Sequence, residues 1–177
     1  LRKKKREYHE NVGKSKQRER RQNDEGVRTL DNLRRRLNQA VKGVGDKSDN
    51  TTKLIGLPNG QDMIDYMRLK SPEYEHVELG KDNDGLVIDH YIACEIFDMS
   101  NPEHQQICFH YTNFQLIRNS ENSVKSDKVP PGFDFDVYIE KRRVEIECIE
   151  RENLSYTEVL RLQKTGKFLY TKGGQDW

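Results

Sequence analysis

A chain of 177 residues, 33% hydrophobic and 34% charged, suffices for one compact domain with appendages but is lean in core-forming side chains. No apolar run approaches the roughly 18 residues that a membrane span needs. The basic start has no apolar stretch behind it to act as a secretory signal, so the sequence predicts a soluble, intracellular protein with no membrane partner. The total charge of +1 hides a polarity, with a net of +9 over residues 1–42 and −8 over the rest. A basic arm on an acidic body suits a nucleic-acid protein, since Lys and Arg contacts to phosphate dominate affinity; a solvated tail fits the charge alone equally well.

Residues 1–22 are nearly all polar, with the run Arg2-Lys3-Lys4-Lys5-Arg6 at their start, and cannot bury enough apolar surface to order themselves. Val27, Leu30, Leu33, Leu37, Ala40 and Val41 then recur at helical spacing beside Arg34, Arg35 and Arg36, which predicts a basic amphipathic helix ended by Gly43 and Gly45. A short apolar patch, Thr52 to Leu57, closes at Pro58-Asn59-Gly60, and Met63, Ile64, Tyr66 and Met67 suggest a short helix. After a turn-rich stretch over 71–85, Leu86 to Cys94 reads as a strand, Ser100-Asn101-Pro102-Glu103 as a helix start, and Cys108 to Ile117 as a second strand. Ser120-Glu121 opens a short helix through Lys125.

Beyond Pro130-Pro131-Gly132, Phe133, Phe135, Val137 and Ile139 alternate with polar residues, as do Val144, Ile146 and Cys148. This predicts a β-hairpin turning at Lys141-Arg142. Ser155 would cap a helix through Gln163, and Phe168 to Tyr170 would add a last short strand. The organisation expected is a basic arm and helix over 1–45, a central domain over 46–129, and a C-terminal hairpin-plus-helix unit over 130–177. The cysteines, Cys94, Cys108 and Cys148, lack the short spacing of a zinc clip and read as free thiols in a reducing compartment.

The chemistry concentrates in residues 86–128. Asp89 and His90 are adjacent within an apolar strand, where successive side chains point to opposite faces, and their burial is costly unless they are paired or used. Asn113 lies in a second apolar run, and Asn122 follows nine residues later on a helix, with Lys125 one turn beyond. The order Asp-His, Asn, Asn is more specific than any of its members.

The stretch Ile88-Asp89-His90, Phe97-Asp98-Met99-Ser100-Asn101-Pro102-Glu103, Cys108-Phe109-His110-Tyr111-Thr112-Asn113-Phe114-Gln115, Glu121-Asn122 and Lys125 resembles the HNH endonucleases of bacteriophages and large DNA viruses. Upstream, Leu33-Arg34-Arg35-Arg36-Leu37-Asn38-Gln39-Ala40 and Thr52-Lys53-Leu54-Ile55-Gly56 look like the basic helix and following segment of that family, so the resemblance covers roughly residues 15–128. It departs from the pattern at Ala93-Cys94, where the family usually has proline, at Phe114-Gln115-Leu116-Ile117, and in lacking a tryptophan before the first strand.

The resemblance implies an α+β fold with a ββα-metal core, a basic N-terminal helical arm and the C-terminal hairpin and helix. It implies His90 as general base and Asn113 as the residue that fixes the loop and orients the His90 ring. Asp89 and Asn122 would hold one divalent metal, Mg²⁺ or Mn²⁺, at the scissile phosphate of DNA. Arg34, Arg35, Arg36, Lys125 and the arm lysines Lys3, Lys4 and Lys5 would meet phosphates, although Lys125 fits a solvated helix face equally well. His110 matches the family pattern but reads as structural. No small-molecule cofactor is expected.

Two classes of function follow from these readings. One is a metal-dependent DNA endonuclease, virus- or phage-encoded. The other is an HNH-fold protein kept as a structural component of a virion or ribonucleoprotein particle, with protein neighbours reached by strand addition from the C-terminal unit. A transcriptional or packaging DNA-binder would leave Asp89-His90 unexplained.

Overall fold

The computed structural model describes residues 13–16, 18–80 and 84–165. Residues 18–23 are helical, and Asp24 interrupts them to cap the first long helix, α1 (Glu25–Ala40), its carboxylate accepting from the Val27 amide. The apolar stripe of α1 buries Leu33 and Leu37 completely or nearly so, while Arg34 and Arg35 stay on the outer face. Two further asparagine-capped helices follow, α2 (Thr51–Ile55) from Asn50 and α3 (Gly60–Lys70) from Asn59. The starts of α1 and α3 touch backbone to backbone. A methyl group on Gly60 would sit 1.9 Å from the Gly26 carbonyl oxygen, so only glycine fits there.

The sheet is a single antiparallel pair. Strand β1 (Leu86–His90) pairs with β2 (Phe114–Arg118) in a register running from Leu86 opposite Arg118 to His90 opposite Phe114. Between them lies α4 (Pro102–Phe109), capped by Asn101 with Pro102 at its first position as the sequence predicts. Helix α5 (Asn119–Lys125) follows β2 without a linker and packs on both strands. Two more helices complete the described chain, α6 (Phe135–Arg151) and α7 (Tyr156–Lys164), the latter capped by Ser155. The class is therefore α+β. No helix among the described residues is long and apolar enough to cross a membrane.

Three sequence expectations need correction. The first strand stops at His90 instead of reaching Cys94, because residues 94–96 form a 3₁₀ turn. The second begins only at Phe114: Cys108 and Phe109 end α4, and Tyr111–Asn113 make another 3₁₀ turn. The expected C-terminal β-hairpin is instead the helix α6. Its buried stripe is helical, through Phe135, Tyr138, Ile146 and Ile149, whereas Val137 and Val144, which alternation would put inside, are 45% and 37% exposed. Asp134 starts the helix by accepting from the Val137 amide. The expected strand at Phe168–Tyr170 and the arm lysines Lys3, Lys4 and Lys5 lie outside the described residues.

Helices α6 and α7 share the main core. Ile146, Ile149, Val159 and Leu160 belong to the same cluster as Leu37, Met67, Phe109 and Phe114, and each such side chain stabilises by about 2 kcal/mol relative to exposure. Inside this layer Arg142 pairs with Glu145, and Gln163 Nε2 donates to the second Glu145 oxygen at 2.8 Å, tying α7 to α6. Burial works against the Arg142 charge, but the Glu145 carboxylate more than offsets it and holds the guanidinium protonated.

Candidate active site: a cleft at the end of the first strand

A cleft of about 900 Å³ opens between α1, the end of β1, the 93–99 turn and α5, and Arg36, Asp89, His90, Asn122 and Lys125 all line it. Local capping places the α5 pair. The Asp84 carboxylate, in the turn before β1, accepts from the Ser120 amide at 2.7 Å and from its hydroxyl at 2.9 Å, which anchors the first turn of α5 beside the strand. Those bonds hold the Asp84 carboxyl below its ordinary range. Residues three apart on a helix share a face, so Asn122 and Lys125 line the cleft together. The Lys125 ammonium donates to Asp89 Oδ2 at 2.9 Å, with both side chains only 17% exposed. From the opposite wall, Arg36 donates to the Ile88 carbonyl at 2.7 Å and so fixes α1 against β1.

Asn113 is completely buried behind this cleft. Its amide oxygen accepts from the Ile92 amide at 3.0 Å and from the Tyr138 hydroxyl at 2.8 Å; its nitrogen donates to the Cys108 carbonyl at 2.9 Å and the Ile92 carbonyl at 3.2 Å. One side chain thus satisfies the backbone of the loop after β1 and the end of α4, and its own carbonyl accepts from the Tyr91 amide. These four side-chain bonds run to the loop, the end of α4 and α6, and none of them reaches the His90 ring that Asn113 was expected to orient. Tyr138 was not foreseen there. It comes from α6, which aromatic packing of Phe135 and Tyr138 on Phe97 holds against the 94–97 turn.

As strand alternation requires, Asp89 and His90 part company. Asp89 faces α5, while His90 turns inward and is 5% exposed. The imidazole lies between Phe109 and Phe114, at ring-centroid distances of 5.0 and 4.4 Å. Its two nitrogens are 3.7 and 3.6 Å from Cys94 Sγ, and Cys94 Sγ is 3.4 Å from Cys108 Sγ. A hydrogen bond from the Cys108 thiol, helped by His90, holds Cys94 well below the usual thiol range, and burial pushes Cys108 well above it. His90, Cys94 and Cys108 are the one group of such donors among the described residues whose ligand atoms lie within 4.8 Å of one another. No short spacing between Cys94 and Cys108 marks this trio in the sequence. All three cysteines are free thiols.

Other sequence candidates stay outside the cleft. Arg34 pairs with Asp31 and Arg35 donates to Asn32, both on the outer face of α1. His110 is fully buried, its Nδ1 3.0 Å from the Thr112 hydroxyl, and burial followed by the Arg142 charge depresses its pKa to about 3. It is a neutral core residue that caps the 111–113 turn.

No family model matches the chain, and no solved structure matches it significantly. It is similar to two curated proteins of Acanthamoeba polyphaga mimivirus. The protein named "Uncharacterized protein L246" is 29% identical over 111 residues, which is 62% of this chain and 46% of that protein. "Uncharacterized protein L426" is 39% identical over 44 residues, 25% of this chain and 19% of that protein. The chain therefore spans less than half the length of either relative.

Proposed function

We propose that this protein is a metal-dependent endonuclease of the HNH type, hydrolysing DNA phosphodiester bonds in the cleft at the end of β1. The observation that carries this reading is the convergence of Asp89, His90, Asn122 and Lys125 on one cleft, on a strand–strand–helix unit stapled by a buried Asn113.

The donor set suits a hard divalent cation. Asp89 and Asn122 offer a carboxylate and an amide oxygen, and the Lys125 ammonium now paired with Asp89 would have to move aside for a metal to bind there. Those two residues would hold Mg²⁺, which when bound supplies charge neutralisation at the scissile phosphate and the leaving 3′ oxygen. The His90 ring would take the proton of the attacking water at one of its nitrogens. Lys125 and the remaining Arg36 N–H groups would orient a phosphate, and Asn113 keeps the loop after His90 from moving. The basic face of α1 would follow the DNA backbone without reading bases.

A second reading has its own observation. His90 is almost completely enclosed by Phe109, Phe114 and Cys94, which suits a residue retained for packing in a structural component of a larger assembly. A Mg²⁺ titration of plasmid nicking separates the two. The nuclease reading expects cleavage that requires Mg²⁺ or Mn²⁺ and is lost in Asp89→Ala, with Asn122→Ala needing more metal. Cleavage indifferent to both substitutions would overturn it.

A further inference from the structure

We propose that His90, Cys94 and Cys108 form a second metal site, one for a thiophilic divalent cation of the Zn²⁺ class, distinct in its donors from the oxygen pair Asp89 and Asn122.

The distances fit that ion. Tetrahedral Zn²⁺ with Zn–S near 2.3 Å and Zn–N near 2.0–2.1 Å requires sulfur–sulfur edges of about 3.8 Å and sulfur–nitrogen edges of about 3.6 Å. The protein holds Cys94 Sγ 3.4 Å from Cys108 Sγ and 3.6–3.7 Å from the His90 nitrogens, with all three ligand atoms within 4.8 Å. Cys94 Sγ stands nearly equidistant from the two His90 nitrogens, so a turn of the imidazole that aims one nitrogen at the sulfurs, with smaller shifts of the thiols, is what brings these atoms onto three vertices of one tetrahedron. The fourth vertex falls to water on the cleft side, because His90 and Cys94 line the cleft while Cys108 lies behind them.

Electrostatics and rigidity favour the same assignment. Binding releases the thiol protons to solvent, and two thiolates with one divalent cation make a neutral centre. That avoids the cost of a lone anion at Cys108, which is 0% exposed. The segments carrying the two sulfurs are already clamped together. Asn113 bonds to the Cys108 carbonyl on one side and to both Ile92 backbone groups on the other, two residues before Cys94. Such outer bonds preset ligand geometry. Soft thiolates select against Mg²⁺, so the two adjacent sites sort hard and soft cations between them.

His90 stands at the junction. A ring nitrogen ligated to Zn²⁺ cannot accept a proton, so occupancy of this site would silence hydrolysis in the cleft; that consequence, though not the site itself, rests on the nuclease reading.

The test is a Co²⁺ titration of the reduced, metal-free full chain, followed by optical absorption and then by Zn²⁺ displacement. A thiolate-to-cobalt charge-transfer band saturating at one ion per chain is expected. It should disappear in Cys94→Ser and in Cys108→Ala, and persist in Cys148→Ser, whose sulfur lies outside the cluster. Circular dichroism of the metal-free variants verifies folding, and Cys94, being only partly buried, is the safer substitution. Zn²⁺ affinity should fall by on the order of 100-fold or more when a thiolate is lost. No band in the wild-type chain, or a band that survives Cys94→Ser or needs Cys148, overturns the proposal. Because the readout involves no DNA, a band in the titrated chain together with no plasmid cleavage by the untitrated, Zn²⁺-free chain in Mg²⁺ sinks only the nuclease reading, and cleavage without a band sinks only the thiolate site.

Discussion

Lys125 and Asp89 are joined across the cleft by a single N–H to carboxylate bond of 2.9 Å between side chains that are each only 17% exposed. The ammonium occupies the position from which a divalent cation would approach the same oxygen. Charges about 4 Å apart near a protein surface interact by up to about 4 kcal/mol, so the lysine would compete with the proposed metal and also repel it. Lys125→Met should therefore lower the Mg²⁺ concentration for half-maximal binding by about threefold to tenfold, as read by calorimetry on the metal-free chain. A weaker or unchanged Mg²⁺ affinity would mean that Asp89 is not a metal ligand.

Asn113→Ala leaves the Ile92 amide, the Cys108 carbonyl and the Tyr138 hydroxyl without their partner in a dry interior. Unsatisfied buried groups cost about 1–3 kcal/mol each, and partial relaxation makes about 3 kcal/mol the expected total loss in denaturant unfolding. Tyr138→Phe removes a single one of these bonds and should cost about 1 kcal/mol. If Tyr138→Phe were neutral, α6 would not buttress the site through Asn113.

Much of this architecture is legible locally. The Asn101-Pro102 start of α4 and the apolar stripe of α1 each follow from short-range rules, whereas the caps at Asp24, Asn50 and Asn59 emerge only with the structure. The C-terminal unit misleads because apolar residues at 135, 137 and 139 and at 144, 146 and 148 satisfy a period of two over short windows. The deciding signals were Asp134 as a cap and Ile146 and Ile149 continuing the stripe. Asp89, His90 and Asn122 could be picked out because their types are costly or unusual where they stand. The cysteine cluster could not, since Cys94 and Cys108 are brought together only when the end of α4 folds behind the strand.

His110 makes stability depend on acidity. Its folded pKa of about 3 lies below the ordinary value of 6.5, so the folded state keeps the ring neutral while an unfolded chain would take a proton. The contribution is fully present above pH 6.5 and is lost progressively as the pH falls towards 3, amounting to about 2 kcal/mol by pH 5. Denaturant midpoints at pH 7 and pH 5 should show the wild-type chain losing that much more than His110→Gln. Equal losses would show that the ring is not held neutral.

Gly60→Ala tests the contact between α1 and α3. The added methyl would overlap the Gly26 carbonyl oxygen at 1.9 Å, and both partners are backbone that can yield only by moving a helix. A loss of about 3 kcal/mol or more is expected in thermal or denaturant unfolding. A loss below about 1 kcal/mol, the ordinary scale of a tolerated substitution, would place the two helices farther apart than described.

The central claim concerns His90, and supercoiled plasmid incubated with Mg²⁺ or Mn²⁺ tests it most directly, comparing the intact chain with His90→Ala while DNA binding is followed in parallel. Nicking or linearisation by the wild-type chain, reduced by at least about a hundredfold in the variant with binding retained, is the predicted result. No cleavage by folded wild-type protein, or equal cleavage by both, would contradict the account.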